Sequence, residues 1–168
     1  MQSRRSFAAM IGIFAAVLFL ALAILAAGLL GLLANVDVLT ERDTGPLIAP
    51  VMFTVATAFL FTMITRIGAR EPAARLPVVS TSLLLGILTY FLYLFSGGTL
   101  YSLGKGRPLL GILFFGSNAG GGVAIAIGLI AIVVTFASLL LFSIRDSGGA
   151  TKPPRWPWEG RDGRDRRE

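Results

Sequence analysis

The chain has 168 residues, of which 55% are hydrophobic and 14% are charged. Soluble domains carry about 25% charged residues, so this composition is typical of a membrane protein of one domain. The sequence has no cysteine or histidine, which excludes disulfides, thiolate and imidazole metal sites, and catalysis by either side chain, and its net charge is +6 at pH 7.

Four apolar stretches are each about as long as a transmembrane helix. They span residues 7–34, 47–65, 78–96 and 123–144 approximately. A helix needs about 20 apolar residues to cross the roughly 30 Å hydrocarbon core, and the chain has too little polar sequence to shield four such helices from water. We therefore predict an all-α integral membrane protein, in which residues 1–145 form a small bundle of four transmembrane helices in the lipid bilayer.

The first predicted helix has a basic start and regularly spaced small residues. Arg4 and Arg5 before an apolar run also begin secretory signals, but the run continues well past the possible cleavage pattern at 21–23, so a retained helix is favoured. Helices in lipid associate through close backbone contact, which small residues permit. The candidate packing residues of this helix are Gly12, Ala16, Ala27 and Gly31.

The second predicted helix carries a row of threonines on about 140° of its surface. The row is Thr54, Thr57, Thr62 and Thr65. A packing seam is the favoured interpretation, and a polar path or a contact with a partner helix is the alternative. Phe53 and Phe61 lie close to the row, which argues against a water-filled path.

The stretch from Gly97 to Gly122 connects the third and fourth predicted helices. Gly98 lies one residue too far from Gly104 and Lys105 for a Walker-type phosphate loop, and Gly106 stands where a hydroxyl is needed. We therefore predict no nucleotide site in this connection.

An apolar piece in that connection, residues 108–115, is too short to cross a membrane, because eight helical residues span about 12 Å. An interfacial or capping segment is the favoured interpretation, with a re-entrant segment or a disordered loop as alternatives. Ser117 or Asn118 is a candidate N-cap for the fourth helix. The candidate polar contacts of the connection are Lys105, Arg107 and Asn118.

The fourth predicted helix gathers small and hydroxyl residues within about 80° of one another. Such a stripe is typical of a helix-packing seam. Its members are Ala124, Gly128, Ala131, Thr135 and Ser138.

The last 23 residues, 146–168, are rich in Pro, Gly, Arg and Asp and lack apolar periodicity, which predicts a disordered basic tail. Its arginines could attract anionic lipid headgroups, while nucleic acid is not an expected partner because no folded module would display them.

The basic residues predict the orientation of the chain. Twelve of the 15 fall in the two termini and the second connection, and three fall in the first and third connections. Because basic residues stay cytoplasmic, both termini and the second connection are predicted to be cytoplasmic, and the third connection extracytoplasmic, in a multi-pass protein of the plasma membrane. Alanine-rich spans, arginine in preference to lysine and an Arg/Asp/Gly tail resemble small four-span bacterial proteins, a resemblance of composition that assigns no functional residue.

The predicted spans contain no ionisable residue, which argues against a proton-coupled pump or a voltage sensor. Asp37, Glu41 and Asp43 in the first connection lack the fixed loop that a divalent cation requires, so no metal or other cofactor is expected. We expect a non-enzymatic accessory, structural or assembly component that packs against itself or a membrane-protein partner. A subunit of an oligomeric channel or transporter is the alternative, and a membrane enzyme using the loop carboxylates comes third.

Overall fold

The computed structural model describes residues 2–34, 39, 47–70 and 77–148, with side chains described for 5–33, 39, 47–70 and 77–144. These residues form α-helices and no strand. The helices are α1 Gln2–Ala34, α2 Ile48–Ala69, α3 Val78–Lys105, α4 Pro108–Ala119 and α5 Gly122–Gly148.

Four of the five helices are long and apolar enough to cross a membrane. The qualifying segments are Arg5–Leu33, Ile48–Ala69, Val78–Lys105 and Gly122–Ile144. The predicted all-helical chain with four membrane-length helices is therefore confirmed for the described residues, and the protein is a multi-pass membrane protein by this criterion. The five basic side chains within the described part are all exposed and lie at or near helix ends: Arg5, Arg66, Arg70, Lys105 and Arg107.

The connection between the third and fourth predicted helices differs most from expectation. α3 continues to Lys105 instead of ending near residue 96, and residues 108–115 belong to a twelve-residue helix, so the loop alternative is wrong. Gly97 and Gly98 lower helix propensity, but they are buried against neighbouring helices, and this packing outweighs the cost of about 1 kcal/mol per glycine.

Two residues set the turn between α3 and α4. Gly106 adopts φ 65°, a left-handed conformation that ends α3, and Pro108 occupies the first turn of α4, where its fixed φ suits a helix start. Ser117 and Asn118, considered as N-caps of the next helix, instead lie in the last turn of α4, because α5 begins only at Gly122.

The four long helices contact one another in the cyclic order α1, α2, α3, α5, and α4 packs mainly on α3. Neighbours run antiparallel: Gly12 of α1 faces Thr65 of α2, and Phe7 of α1 packs against Phe142 of α5. One end of the molecule, which we call the α4 end, thus holds the C-termini of α1 and α3, α4, and the N-termini of α2 and α5. The opposite end holds the remaining helix termini.

Candidate functional site

The stripe predicted on α5 lies in the interior. Ala124, Gly128, Ala131, Thr135 and Ser138 are all buried. Gly128 allows a close approach to α3, since a Cβ atom there would lie 3.2 Å from the Cβ of Tyr90. Seen from α3, a Cβ on Gly86 would lie 3.1 Å from the carbonyl oxygen of Gly128. The stripe is therefore used within the chain, at the α3–α5 contact.

The candidate packing residues of α1 divide between interior and surface. Gly12 and Ala27 are buried and Ala16 is half-buried, whereas Gly31 is exposed. A Cβ on Gly12 would lie 2.5 Å from Thr65 Oγ1, so this glycine lets α1 and α2 meet. Gly31 lies just beyond Leu30, the residue that faces the start of α5 at Gly122. That any of these four residues of α1 also contacts another chain stays a prediction.

The threonine row of α2 does not point in a single direction. Thr54 and Thr62 are exposed, while Thr57 and Thr65 are half-buried. Each hydroxyl donates to a carbonyl oxygen four residues earlier in its own helix, at 2.6 to 2.8 Å. Each hydroxyl proton is thus already used within α2. The threonine oxygens can still accept a hydrogen bond from a neighbouring helix.

The exposed face of α2 differs from the exposed faces of the other long helices. Every fourth residue from Pro50 to Thr62 is exposed, which gives a small-residue row that we call the α2 outer row: Pro50, Thr54, Ala58 and Thr62. Within the described residues of α2, Val51 is the one large hydrophobic side chain that is exposed. α1, α3 and α5 instead present many exposed Leu, Ile, Val and Phe side chains, which suit contact with lipid tails.

The three candidate polar contacts of the third connection do not form one site. Lys105 and Arg107 are exposed at the turn between α3 and α4. Asn118 is buried near the other end of α4, about 16 Å along the helix from Arg107 at 1.5 Å per residue. Its Nδ2 donates to the carbonyl of Phe114 at 3.0 Å and to Ser117 Oγ at 3.2 Å, so the structure gives it a local role at the α4 C-terminus.

α4 folds back along α3 through a contact between two glycine backbones, which the sequence analysis missed. A Cβ on Gly98 would lie 2.8 Å from the carbonyl oxygen of Gly111, and a Cβ on Gly111 would lie 2.7 Å from that of Gly98. Gly97 similarly makes room for Phe114, which is fully buried. The sequence signal for this contact is a glycine in each partner, Gly98 and Gly111, but glycines considered locally also indicate the end of a helix.

Aromatic side chains and one hydrogen bond hold α4 in place. Phe114 packs against Tyr101 with ring centroids 5.3 Å apart, and Phe115 stacks on Phe91 at 6.2 Å and 6°. The hydroxyl of Tyr90 donates to the carbonyl oxygen of Ala119, which closes the C-terminal end of α4 onto α3. α4 is therefore attached to α3 from Gly111 to Ala119.

A groove of about 290 Å³ lies between α3 and α4. Gly98 and Gly111 form its floor, because neither has a side chain to fill the space. Three further residues of α3 and three of α4 form its two walls, which combine apolar side chains with the hydroxyls of Thr99 and Ser102. The complete lining is Phe95, Gly98, Thr99, Ser102, Pro108, Gly111, Ile112 and Phe115. We call this space the α3–α4 groove.

Polar chemistry in the interior is sparse. Tyr93 Oη and Thr135 Oγ1 are buried and have no hydrogen-bond partner. Thr89 and Ser138 donate to carbonyls of their own helices at 2.7 Å. Within the described ranges no group of three or more Asp, Glu, His or Cys residues could hold a metal ion. Asp37, Glu41, Asp43 and residues 149–168 of the tail lie outside the described residues, while residues 146–148 continue α5.

Comparison with known proteins places the chain in a family without assigning an activity. Neither the curated proteins nor the solved structures contain a match. The family model that matches is described as a family of unknown function, and it aligns with residues 1–166, nearly the whole chain. The protein is therefore a member of the family of unknown function DUF6121, with four helices of membrane-spanning length in its described residues.

Proposed function

We propose that the protein is a non-enzymatic assembly or structural component of the plasma membrane, with both termini cytoplasmic. It acts by packing the α2 outer row against a second copy or another membrane protein. The observation that carries this proposal is the contrast between that row and the bulky, lipid-facing surfaces of α1, α3 and α5.

Small residues at a four-residue spacing suit helix association in lipid. Without a hydrophobic driving force between helices, association depends on close packing and weak polar contacts between backbones. Thr54, Ala58 and Thr62 keep the α2 backbone accessible, and the two threonine oxygens can accept contacts from a facing helix. Pro50 lies in the first turn of α2, where proline does not interrupt helix hydrogen bonding.

The sequence contains no cysteine, so any disulfide that forms in a single-cysteine variant must come from the introduced residue. A single cysteine introduced as Ala58→Cys should form an interchain disulfide in oxidised native membranes if the partner is a second copy. Ala137→Cys places the same group on an exposed alanine of α5 and serves as the matched control. If the partner is another protein, native mass analysis after mild solubilisation should show a stoichiometric complex instead.

Substitution by a bulky residue then tests whether the contact between chains uses the α2 outer row. Ala58→Leu should lower the association constant by about tenfold, which corresponds to about 1.4 kcal/mol, whereas Ala137→Leu should leave it unchanged. A lone monomer in both experiments, with the Ala58→Cys and Ala137→Cys chains equally uncrosslinked, would refute the assembly proposal. Ion flux through proteoliposomes that is lost in Thr62→Leu would favour the channel alternative.

A further inference from the structure

We propose that the α3–α4 groove binds one acyl chain of an anionic phospholipid, with the lipid phosphate held at Arg107. This site is separate from the α2 outer row and does not depend on the assembly function.

The groove changes in polarity along its length. Ser102 and Pro108 line the end beside the α3–α4 turn, and Phe95 and Phe115 line the end that lies deeper along the two helices. Thr99 lies between these ends on the α3 side. A polar end that leads into an aromatic and apolar end matches an amphipathic ligand, whose headgroup and chain need different surroundings.

The length of α3 places the polar end near the membrane boundary. Twenty-eight residues extend about 42 Å, close to the roughly 40–45 Å of a bilayer with its headgroup regions. If α3 crosses the membrane, its last turn reaches the headgroups, and Phe95 lies about 15 Å deeper than Lys105, within hydrocarbon. α4 begins at the headgroup level and re-enters the hydrocarbon against α3, where its backbone is covered by protein and satisfied within the helix.

Charge selects the headgroup. Arg107 is exposed at the polar end, directly before Pro108 in the lining of the groove. The side chains that the structure describes include no Asp or Glu, so none of them competes with an anion for this guanidinium. Arginine binds phosphate oxygens through paired donors, and a basic residue near the membrane surface attracts anionic lipid.

The size of the groove favours a lipid chain over a partner helix. A groove volume of about 290 Å³ lies at the lower end of the range for small-ligand pockets, which suits a single chain better than a helix about 10 Å in diameter. The groove also opens sideways, since Phe95 and Ile112 are largely exposed, so a chain can enter from the surrounding lipid without an opening motion.

The test uses the full-length protein in nanodiscs with phosphatidylglycerol that carries a photoreactive diazirine on one acyl chain. After illumination, peptide mapping should find label concentrated on residues 95–102 and 108–115. Thr99→Trp, which fills the groove from its exposed α3 side, should reduce that label at least fivefold. Leu103→Trp adds the same side chain to an exposed position of α3 outside the lining and should leave the label unchanged.

A second pair of variants tests the headgroup without altering the groove. The same probe with a zwitterionic phosphatidylcholine headgroup should label the groove at least threefold less, and Arg107→Gln should abolish that preference. Lys105→Gln removes a neighbouring cation that lines a different groove, between α2 and α3, and should preserve it. Label spread evenly over the exposed faces of α1 and α5 would overturn the proposal. Equal labelling by the two headgroups in the natural protein would also overturn it.

Discussion

Glycine brings helices together at both ends of the molecule, but it does so in two ways. At the α4 end, Gly98 and Gly111 bring two backbones into direct contact. At the opposite end, Gly68 of α2 receives the ring of Phe142 from α5, and Phe7 of α1 packs edge-on against the same ring with centroids 6.2 Å apart. A ring can shift when its surroundings change, whereas two helix backbones in contact cannot shift without separating the helices. The α4 end should therefore be the less tolerant of substitution.

The largest effect should follow from adding one methyl group at the backbone contact. Gly98→Ala should destabilise the protein by about 3 kcal/mol, because its Cβ would overlap the Gly111 carbonyl. Reversible unfolding in mixed micelles measures this change. Gly104→Ala is the matched control in the same helix, since a Cβ there meets no atom within 4 Å and alanine favours helix. Equal stability of the two variants would show that the α3–α4 contact is looser than described.

A smaller loss of stability should follow from removing the Phe142 ring at the opposite end. Phe142→Ala should destabilise by about 2 kcal/mol, less than the 3–5 kcal/mol typical of soluble cores, because lipid removes most of the hydrophobic contribution and leaves the loss of packing. The same unfolding assay applies. Phe136→Ala, at a partly exposed position of the same helix, should cost less than half as much. A greater loss of stability in Phe136→Ala than in Phe142→Ala would show that the Phe142 ring is not an important contact at this end.

The smallest effects should differ in sign between two tyrosines of α3 that lie one helical turn apart. Tyr90→Phe removes the hydrogen bond to Ala119 and should destabilise by about 1 kcal/mol. Tyr93→Phe removes a buried hydroxyl that has no partner and should leave stability unchanged or raise it by about 1 kcal/mol. A clear loss of stability in Tyr93→Phe would mean that this hydroxyl has a partner, such as a bound water.

The helices that could be predicted from the sequence are those that coincide with a long apolar run. α1 ends at the predicted residue 34 and α5 begins one residue before the predicted 123, whereas α1 starts five residues before its apolar run and α5 ends four residues after its own, because the flanking charged residues do not interrupt the helix. α2 extends from the predicted Thr65 to Ala69, past Arg66, since arginine is a good helix former whose long side chain can reach water from a membrane helix. Local propensity and hydrophobicity therefore determine these helices within about a turn.

The α3–α4 hairpin could not be predicted in the same way. Gly97 and Gly98 indicate the end of a helix when considered locally, and only the position of Met52 and α4 against them explains why α3 continues. The buried stripe of α5 could be found from its spacing alone. Helical spacing showed which residues of α2 share a face, but it could not show that Thr54 and Thr62 lie outside while Thr57 and Thr65 are partly covered. That distinction depends on where α1 and α3 pack.

The contact between Phe7 and Phe142 also sets the order in which the protein can be completed on the ribosome. α3 and α4 are adjacent in the chain, so their hairpin can close as soon as both have emerged. Phe7 is synthesised well before Phe142, and the cyclic arrangement cannot close until α5 has been released into the membrane. A nascent chain that stalls before α5 therefore holds α1 and α2 without the ring that fills the space at Gly68, and this surface is available to the insertion machinery or to quality-control proteases.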